Sequence, residues 1–395
     1  MTISRKIQRQ MEEGSWIRRM FEEGILLKQR FGEDKVFDLS LGNPVIEPPP
    51  EFERELRRLS EKPTPGMHRY MPNPGYAETR AAVAAQLSRE TGVGFTAGEV
   101  VLSCGAGGAL NVVLKAILNE GDEVVIFAPY FVEYGYYVDN HGGVPRVAPT
   151  DGSFNPDLGA LDGIITARTR AVLINSPNNP TGVIYSPAIL RQLGELLAAK
   201  ERQYGTGLFL LSDEPYRRII FDGLAYPHIY RYHPASLAVT SHSKDLALPG
   251  ERIGYIAVNP EYPGRRELVD GLTFCNRTLG FVNAPALMQH IVQGLQGVTV
   301  DVGQYQRRRD YLYAELTGMG YSIVKPQGAF YLFPKSPLED DVAFVRELQK
   351  HGVLTVPGRG FGTPGYFRIA YCTEERTLEG AMEGFRKAAR AVGLL

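Results

Sequence analysis

Five short apolar runs recur through the middle of the chain, and each is followed by a turn-rich loop. Strands that are apolar on both faces are typical of parallel sheets, because crossover helices cover the sheet on both sides. The clearest helix start lies at Ser186 and Pro187, which suit an N-cap and a first-turn position. The pattern predicts an α/β fold with mostly parallel strands at about 99–104, 123–127, 170–175, 207–211 and 236–241, and a further strand at 252–258.

The N-terminal part of the chain has a different pattern. Apolar residues recur at helical spacing among charges between residues 4 and 30, which predicts one or two amphipathic helices that pack on another element or subunit. Residues 61–75 hold four prolines and two glycines. A loop of this length without secondary structure is often functional.

The C-terminal part is helical with breaks through residues 262–318, and then alternates short apolar runs with helices. This alternation predicts a second, smaller α+β domain. We therefore expect a large domain at 45–285, and a small domain at 286–395 to which the N-terminal arm at 1–44 contributes. The runs lie at 321–326, 328–333, 352–357 and 366–371, and the helices lie near 340–351 and from about 374.

Composition narrows the class of partner. The chain of 395 residues is 44% hydrophobic and 22% charged with a net charge of −1, so no basic footprint for nucleic acid is present and small-molecule partners are expected. Its three cysteines are widely spaced, which favours a reducing cytoplasm and indicates no metal site. No apolar run approaches the ~18 residues of a membrane span, and no signal peptide is indicated.

The run at 236–241 places Lys244 in the loop after a buried strand. A lysine amine becomes a nucleophile when desolvation or a neighbouring cation lowers its pKa, and it can then form a Schiff base with a carbonyl. Ser241, Ser243 and Arg252 supply hydroxyls and a guanidinium, which together suit a phosphate dianion. Lysine, hydroxyls and arginine together suggest pyridoxal phosphate.

Four other loops carry unusual residues where strands end. In open parallel sheets the loops after the carboxyl ends of the strands form a common crevice for ligands. The glycines at 105–108 open a helix, whose free amides suit a phosphate. Phe131 offers a ring face, Asn179 an amide donor, and Asp213 a carboxylate that is costly to bury unless it meets a cation such as a pyridinium nitrogen.

The chain resembles the class I and II aminotransferases, which depend on pyridoxal phosphate and have the fold known as type I. The resemblance rests on NPTG at 179–182, SDEPY at 212–216, S-x-S-K at 241–244 followed by Arg252, PGY at 74–76 after Tyr70, and RIAY at 368–371. These motifs span nearly the whole chain. His242 and Cys104 lie inside matching segments without a family role, and Pro215 stands where relatives often carry a β-branched residue.

The resemblance implies a role for each matching residue. Lys244 would be the Schiff-base lysine and proton shuttle, and Asp213 would keep the pyridine nitrogen protonated. Phe131 would stack on the ring. Asn179 and Tyr216 would bond the ring's 3-oxygen; Ala106, Gly107, Ser241, Ser243 and Arg252 would hold the phosphate together with Tyr70 of the partner subunit; and Arg368 would bind the substrate α-carboxylate, with Gly42 and Asn179 beside it.

The implied activity is ping-pong transfer of an amino group between an L-amino acid and a 2-oxo acid, in a homodimer with shared active sites. An aspartate/2-oxoglutarate type is one candidate, since Arg277, Arg359 or Lys115 could bind a second carboxylate. Alternatively, an aromatic pocket could be lined by Tyr130, Tyr134, Tyr136 and Tyr137. A β-eliminating lyase on the same scaffold and a ligand-sensing regulator are the rival functions.

Overall fold

The computed structural model describes residues 2–12 and 16–395. Most of the predicted helices are present, and those at residues 186 and 105 begin where the sequence indicated. The α-helices are α1 (Arg5–Glu12), α2 (Trp16–Phe31), α3 (Pro50–Glu61), α4 (Ala77–Thr91), α5 (Gly105–Ile117), α6 (Glu133–Asn140), α7 (Leu158–Ile164), α8 (Pro187–Tyr204), α9 (His242–Asp245), α10 (Arg265–Thr278), α11 (Ala286–Gln293), α12 (Val302–Gly318), α13 (Asp341–Lys350) and α14 (Glu375–Ala391).

Most of the strands belong to a central sheet of seven in the order β2-β8-β7-β6-β5-β3-β4. Strand β8 runs antiparallel to both of its neighbours, and the other pairs are parallel. The predicted α/β fold with a mostly parallel sheet is thus confirmed. The strands are β1 (Phe37–Asp38), β2 (Val100–Ser103), β3 (Glu123–Phe127), β4 (Val144–Ala148), β5 (Thr169–Asn175), β6 (Phe209–Asp213), β7 (Ser236–Ser241), β8 (Gly254–Val258), β9 (Tyr331–Leu332), β10 (Val353–Leu354), β11 (Val356–Pro357) and β12 (Phe367–Ala370).

Both faces of the central sheet are packed. Along β5, Val172 and Ile174 belong to one hydrophobic cluster, while Ala171 and Leu173 belong to the other. Successive side chains of a strand point to opposite faces, so each face buries its own set of apolar residues. Strand β4 was not anticipated from the sequence, because it lies at the sheet edge, is largely exposed and contains a proline, as edge strands tolerate.

The start of the chain is joined to its C-terminal part. Strand β1 pairs in parallel with β10, and β11, β12 and β9 form a separate antiparallel sheet. Of the four apolar runs expected there, the run at 321–326 forms no strand; its Tyr321 packs among Phe344, Phe367 and Phe385 instead. The predicted division at 44 and 285 remains a prediction, although α11 contacts α3 and α4, which favours a boundary after this helix.

The N-terminal arm contains two helices, α1 and α2, on either side of residues 13–15, which lie outside the described residues. Lys6 Nζ lies 2.7 Å from a carboxylate oxygen of Asp139, and α2 packs against β11. The arm therefore contacts its own chain. Among the described residues, no helix is both long and apolar enough to cross a membrane.

Candidate active site

A cavity of about 330 Å³ opens where β2, β5, β6 and β7 end, within the usual size range of small-molecule sites. Every residue of this chain to which the family resemblance gave a role in its own site lines the cavity. These are Gly42, Ala106, Gly107, Phe131, Asn179, Asp213, Tyr216, Ser241, Ser243, Lys244, Arg252 and Arg368. Their convergence follows from the fold, because parallel strands deliver their carboxyl ends to one edge.

Lys244 lies in the short helix α9 rather than in the loop expected from the sequence. Its Nζ donates a hydrogen bond of 2.7 Å to the carbonyl of Gly42 and lies 5.4 Å from the centre of the Phe330 ring. Burial lowers the pKa of this amine to about 8. A Cβ on Gly42 would collide with the hydroxyl of Tyr331, so only glycine lets the backbone come this close.

Asp213 is the last residue of β6 and is buried. Its Oδ2 accepts a hydrogen bond of 2.6 Å from the hydroxyl of Tyr134, whereas its buried Oδ1 has no partner among the described residues. Burial raises the pKa of the Asp213 carboxyl to about 7, and the bond from Tyr134 acts in the opposite direction. An unpartnered buried carboxylate oxygen calls for a cationic or protonated ligand group.

Another part of the cavity wall is a cradle for an anion. The first-turn amides of α5 lack helical partners, and the hydroxyls of Ser241 and Ser243 and the guanidinium of Arg252 line the same cavity. Gly105 has a φ of +74°, and a Cβ there would lie 2.8 Å from a guanidinium nitrogen of Arg252. A Cβ on Gly107 would lie 3.1 Å from the Tyr137 hydroxyl, so side chains at either position would crowd the cradle.

Arg368 lies on β12 between the fully buried Phe367 and Ile369, and its side chain reaches the cavity because successive side chains of a strand point to opposite faces. The guanidinium donates bonds of 3.0 Å to Asn179 Oδ1 and 2.5 Å to the carbonyl of Ser40. Its carbon lies 4.7 Å from the ring centre of Tyr331 and 4.8 Å from that of Phe361. These contacts hold the guanidinium plane in one orientation.

The sequence reasoning missed several residues of the site. The Tyr331 hydroxyl lies 2.9 Å from that of Tyr216, Asn175 donates a bond of 2.8 Å to the Asp213 carbonyl, and Glu133 lines the cavity wall. Asn175 ends a predicted strand and could have been noticed for that reason. Tyr331 and Glu133 gave no signal, because their roles depend on contacts between distant segments.

Some of the sequence candidates lie elsewhere. Tyr70 is 89% exposed and lines a separate surface pocket, so within one chain it does not reach the cavity. Arg277, Arg359 and Lys115 do not line the cavity, and Arg359 pairs with Asp340 and Asp341. Of the four tyrosines considered for an aromatic pocket, Tyr134 and Tyr137 line the cavity, whereas Tyr130 and Tyr136 do not.

His242 and Cys104, which lacked roles in the sequence, lie beside the site without lining it. His242 Nδ1 is 3.3 Å from both carboxylate oxygens of Asp245, and this buried pair spans the short helix that carries Lys244. Cys104 is the residue before the first turn of α5. Both are therefore neighbours of the functional groups rather than members of the cavity wall.

The residues present fit pyridoxal phosphate. The partnerless oxygen of Asp213 suits a protonated ring nitrogen, and Phe131 offers a ring face. The cradle of backbone amides, hydroxyls and Arg252 suits a phosphate, and an amine with a lowered pKa in the same cavity suits an aldehyde.

Comparisons with known proteins agree with this geometry. A sequence model of the family described as "Aminotransferase class I and II" matches residues 34–385. A probable aspartate/prephenate aminotransferase of Thermus aquaticus is 34% identical, over 91% of this chain and 93% of its own length.

Solved structures show the same similarity over the whole chain. An amino transferase of Eubacterium rectale has a TM-score of 0.95 at 37% identity, with 99% of both chains covered. The aspartate aminotransferase of Thermus thermophilus with maleate has a TM-score of 0.86 at 29% identity, covering 98% of this chain and all of its own. The family match, the relatives and the shared fold together show that this chain belongs to the class I and II aminotransferases.

Proposed function

We propose that this aminotransferase uses pyridoxal phosphate to pass an amino group between an L-amino acid and a 2-oxo acid in two half-reactions. One observation carries the proposal: a partly buried lysine amine with a pKa lowered to about 8 shares its cavity with a buried carboxylate oxygen that has no partner among the described residues. The family is generally dependent on this cofactor, and the relatives' names support amino acid and 2-oxo acid substrates.

Bound pyridoxal phosphate would supply an electron sink for the charge left when the substrate α-proton leaves. Asp213 would hold the ring nitrogen, Phe131 would stack on the ring, and Asn179 and Tyr216 would bond its 3-oxygen. The phosphate would lie against Arg252 and the cradle defined by Ala106, Gly107, Ser241 and Ser243.

Lys244 would hold the cofactor and then move the proton. Its low pKa keeps a larger fraction of the amine neutral than in an exposed lysine, and a neutral amine can accept a proton. The bond to the Gly42 carbonyl orients Nζ in the cavity.

A product assay tests the proposed function. A panel of amino donors with 2-oxoglutarate and oxaloacetate as acceptors should yield a new amino acid and a new 2-oxo acid in equal amounts. A β-eliminating lyase would instead release pyruvate and ammonia without an acceptor. Binding of amino acids without any product would indicate the ligand-sensing alternative.

Arg368 is predicted to bind the α-carboxylate shared by all substrates. Because the guanidinium can donate two parallel bonds to a carboxylate, Arg368→Ala should lower kcat/KM for amino and 2-oxo acids alike, by about 2–5 kcal/mol in transition-state free energy. Arg368→Lys should lower it less, since the charge remains. The measurement is steady-state kinetics beside a titration of cofactor affinity, which should hardly change. Loss of the cofactor with unchanged turnover in the loaded fraction would show that Arg368 serves the cofactor instead.

Tyr70 supports the proposal of a homodimer with shared active sites. It is exposed in the Pro/Gly-rich segment before α4 and lies in a surface pocket with Phe281 and Asn283, as expected if a second copy covers it. We predict a dimer in sedimentation, and a weaker hold on the cofactor after Tyr70→Phe, because the phosphate loses a hydroxyl donor.

Mixed dimers give the sharper measurement. If Tyr70 serves the other subunit's site, a dimer of one Tyr70→Phe chain and one Lys244→Ala chain has one intact site and one site with both changes. Mixing the two variants should therefore raise the activity above that of Lys244→Ala alone. It should also restore the cofactor affinity that Tyr70→Phe alone has lost. A fully active monomer, or no recovery in verified mixed dimers, would count against shared sites.

Two further parts of the proposal concern the protein's partners and its location in the cell. The near-neutral net charge supports small-molecule partners rather than nucleic acid. The three cysteines are free, which supports the proposed cytoplasmic location.

A further inference from the structure

Five charged side chains line the cavity among the described residues, and four of them have places in the proposed function. Asp213 serves the ring nitrogen, Lys244 the reacting carbon, Arg252 the phosphate and Arg368 the α-carboxylate. The fifth is Glu133, in the first turn of α6. None of the motifs that identified the family contains it, so its function has to be derived from its surroundings.

Glu133 presents a carboxylate oxygen that no protein group satisfies. Its Oε2 is buried and has no hydrogen-bond partner among the described residues. Burial raises the pKa of the carboxyl, whereas its own backbone N–H and the charge of Arg368 oppose the rise. The side chain also lies close enough to Tyr137 and Tyr331 to interact electrostatically with both. A ligand that donates a hydrogen bond here would satisfy an atom that is otherwise desolvated at a cost.

No second free cation faces the cavity within the described part of the chain. Arg277, Arg359 and Lys115, the residues considered for a second substrate carboxylate, do not line it. With Arg368 given to the α-carboxylate, the side chain of a bound amino acid would meet a wall whose remaining charge is negative. A second carboxylate there would face a like charge in a poorly hydrated site, which is strongly unfavourable.

We infer that Glu133 determines substrate specificity by selecting side chains that end in a hydrogen-bond donor, an amide or an ammonium group, over side chains that end in a carboxylate. The inference rests on the proposed function, because Arg368 and Lys244 must fix the common part of the substrate. Every substrate shares the transferred amino group, whereas Glu133 would contact the distal group, which differs between substrates.

Binding of two unreactive analogues tests the inference without turnover. Maleate is a dicarboxylate, found with the Thermus thermophilus relative, and maleamate is nearly the same shape with an amide at one end. Calorimetry on the cofactor-loaded enzyme at alkaline pH should show that maleamate binds about tenfold or more tightly than maleate, since a like-charge contact is removed. Glu133→Gln should abolish most of this preference, mainly by strengthening the binding of maleate.

Two variants serve as controls. Glu133→Asp keeps the charge and should keep the preference. Glu120→Gln removes an exposed carboxylate in the turn before β3, at the amino end of that strand, whereas the cavity lies at the carboxyl ends. This variant should leave both affinities unchanged. Wild-type enzyme that prefers maleate overturns the inference, whether or not Glu133→Gln folds. An equal loss of affinity for both analogues in Glu133→Gln also overturns it, because that result indicates a structural role beside Arg368.

Single-turnover kinetics with glutamine and glutamate extend the test to substrates. The wild-type rate constant at low donor concentration should favour glutamine by about tenfold, and Glu133→Gln should reduce the ratio towards one. Conversion of both donors at equal rates by wild-type enzyme would contradict the specificity but leave transamination intact. Conversion of neither these nor any other amino donor would instead count against the proposed function.

Discussion

Lys244→Ala should reduce transamination by roughly 10⁴-fold or more, because one substitution would remove both the proposed covalent attachment and the proposed general base. The amine is well placed for both tasks: it lines the cavity, it is oriented by the Gly42 carbonyl, and its pKa is lowered to about 8. Alanine adds no bulk, so the variant should fold and still bind the cofactor through the phosphate cradle and Asp213.

The measurement is reduction of the cofactor-loaded protein with borohydride, followed by peptide mapping. In the wild type the label should lie on Lys244, and in Lys244→Ala it should be absent. Lys387→Ala removes an exposed lysine on α14 and should behave as the wild type. A label on another lysine of the wild type would defeat the central assignment.

The pH dependence follows from the same lysine. Only the neutral amine attacks an aldehyde, and an exposed lysine is mostly protonated below ~10.4. Since burial lowers the pKa of Lys244 to about 8, the rate at which cofactor-free protein captures pyridoxal phosphate should rise with pH and level off above about 8.

Asp213→Asn is expected to have the second largest effect, a loss of roughly 10²–10³-fold in turnover. The buried Oδ1 is the unpaired anionic atom that would keep the ring nitrogen protonated, and an amide of the same size lacks its charge. A fixed charge in a desolvated site is worth far more than in water, which sets this magnitude. The change should appear in stopped-flow measurements of the first half-reaction, with cofactor still bound.

The stability of the cofactor-free protein, unlike its turnover, should not fall in Asp213→Asn. Burial raises the pKa of Asp213 to about 7, far above the ~3.9 of an unfolded aspartate, so the cofactor-free protein loses stability as pH rises between these values. Asparagine has no charge to bury, and the melting temperature of cofactor-free Asp213→Asn should therefore equal or exceed that of the wild type at neutral pH. A variant with near-normal turnover would remove Asp213 from its proposed role.

Tyr134→Phe provides a matched control for this aspartate. It removes only the 2.6 Å bond to Oδ2, so the carboxylate stays in place but loses the donor that favours its charged form. Turnover should fall less than in Asp213→Asn. A loss as large as that of Asp213→Asn would indicate that Tyr134 has a direct role in the chemistry.

The sequence predicted those parts of the molecule whose signal is local. Asn179 and Lys244 follow β5 and β7, and Asp213 ends β6. Each of these strands contains an apolar run, so strand direction alone brought the three residues to one edge of the sheet. Strand β4 lacks that pattern because its outer position leaves it exposed. Because β4 lacks an apolar run and contains a proline, its sequence resembles that of a loop.

Contacts across the chain could not be predicted in this way. The pairing of Tyr216 with Tyr331 joins residues 115 positions apart, and the bond from Tyr134 to Asp213 spans 79 positions. A local sequence pattern does not predict a contact between residues so far apart in the chain. The proposed role of Tyr70 depends on a second copy of the chain, and that of Glu133 depends on which groups of the cavity lack a partner among the described residues.

One short stretch near the start of the chain contacts both of the cations that would handle substrate. The Ser40 carbonyl accepts from Arg368 and the Gly42 carbonyl accepts from Lys244. The stretch packs through the buried Leu39, but its backbone is held by the two-residue pairing of β1 with β10 and by a few further bonds, such as that from Ala370 to Leu39. Segments with so few backbone bonds open at a lower free energy than the core of a sheet. Local unfolding of this stretch would remove a hydrogen-bond acceptor from both cations at once while the central sheet stays folded. The local opening that inactivates the enzyme should therefore cost less free energy than global unfolding. Mild denaturant should abolish activity at a lower concentration than the one that unfolds the central sheet.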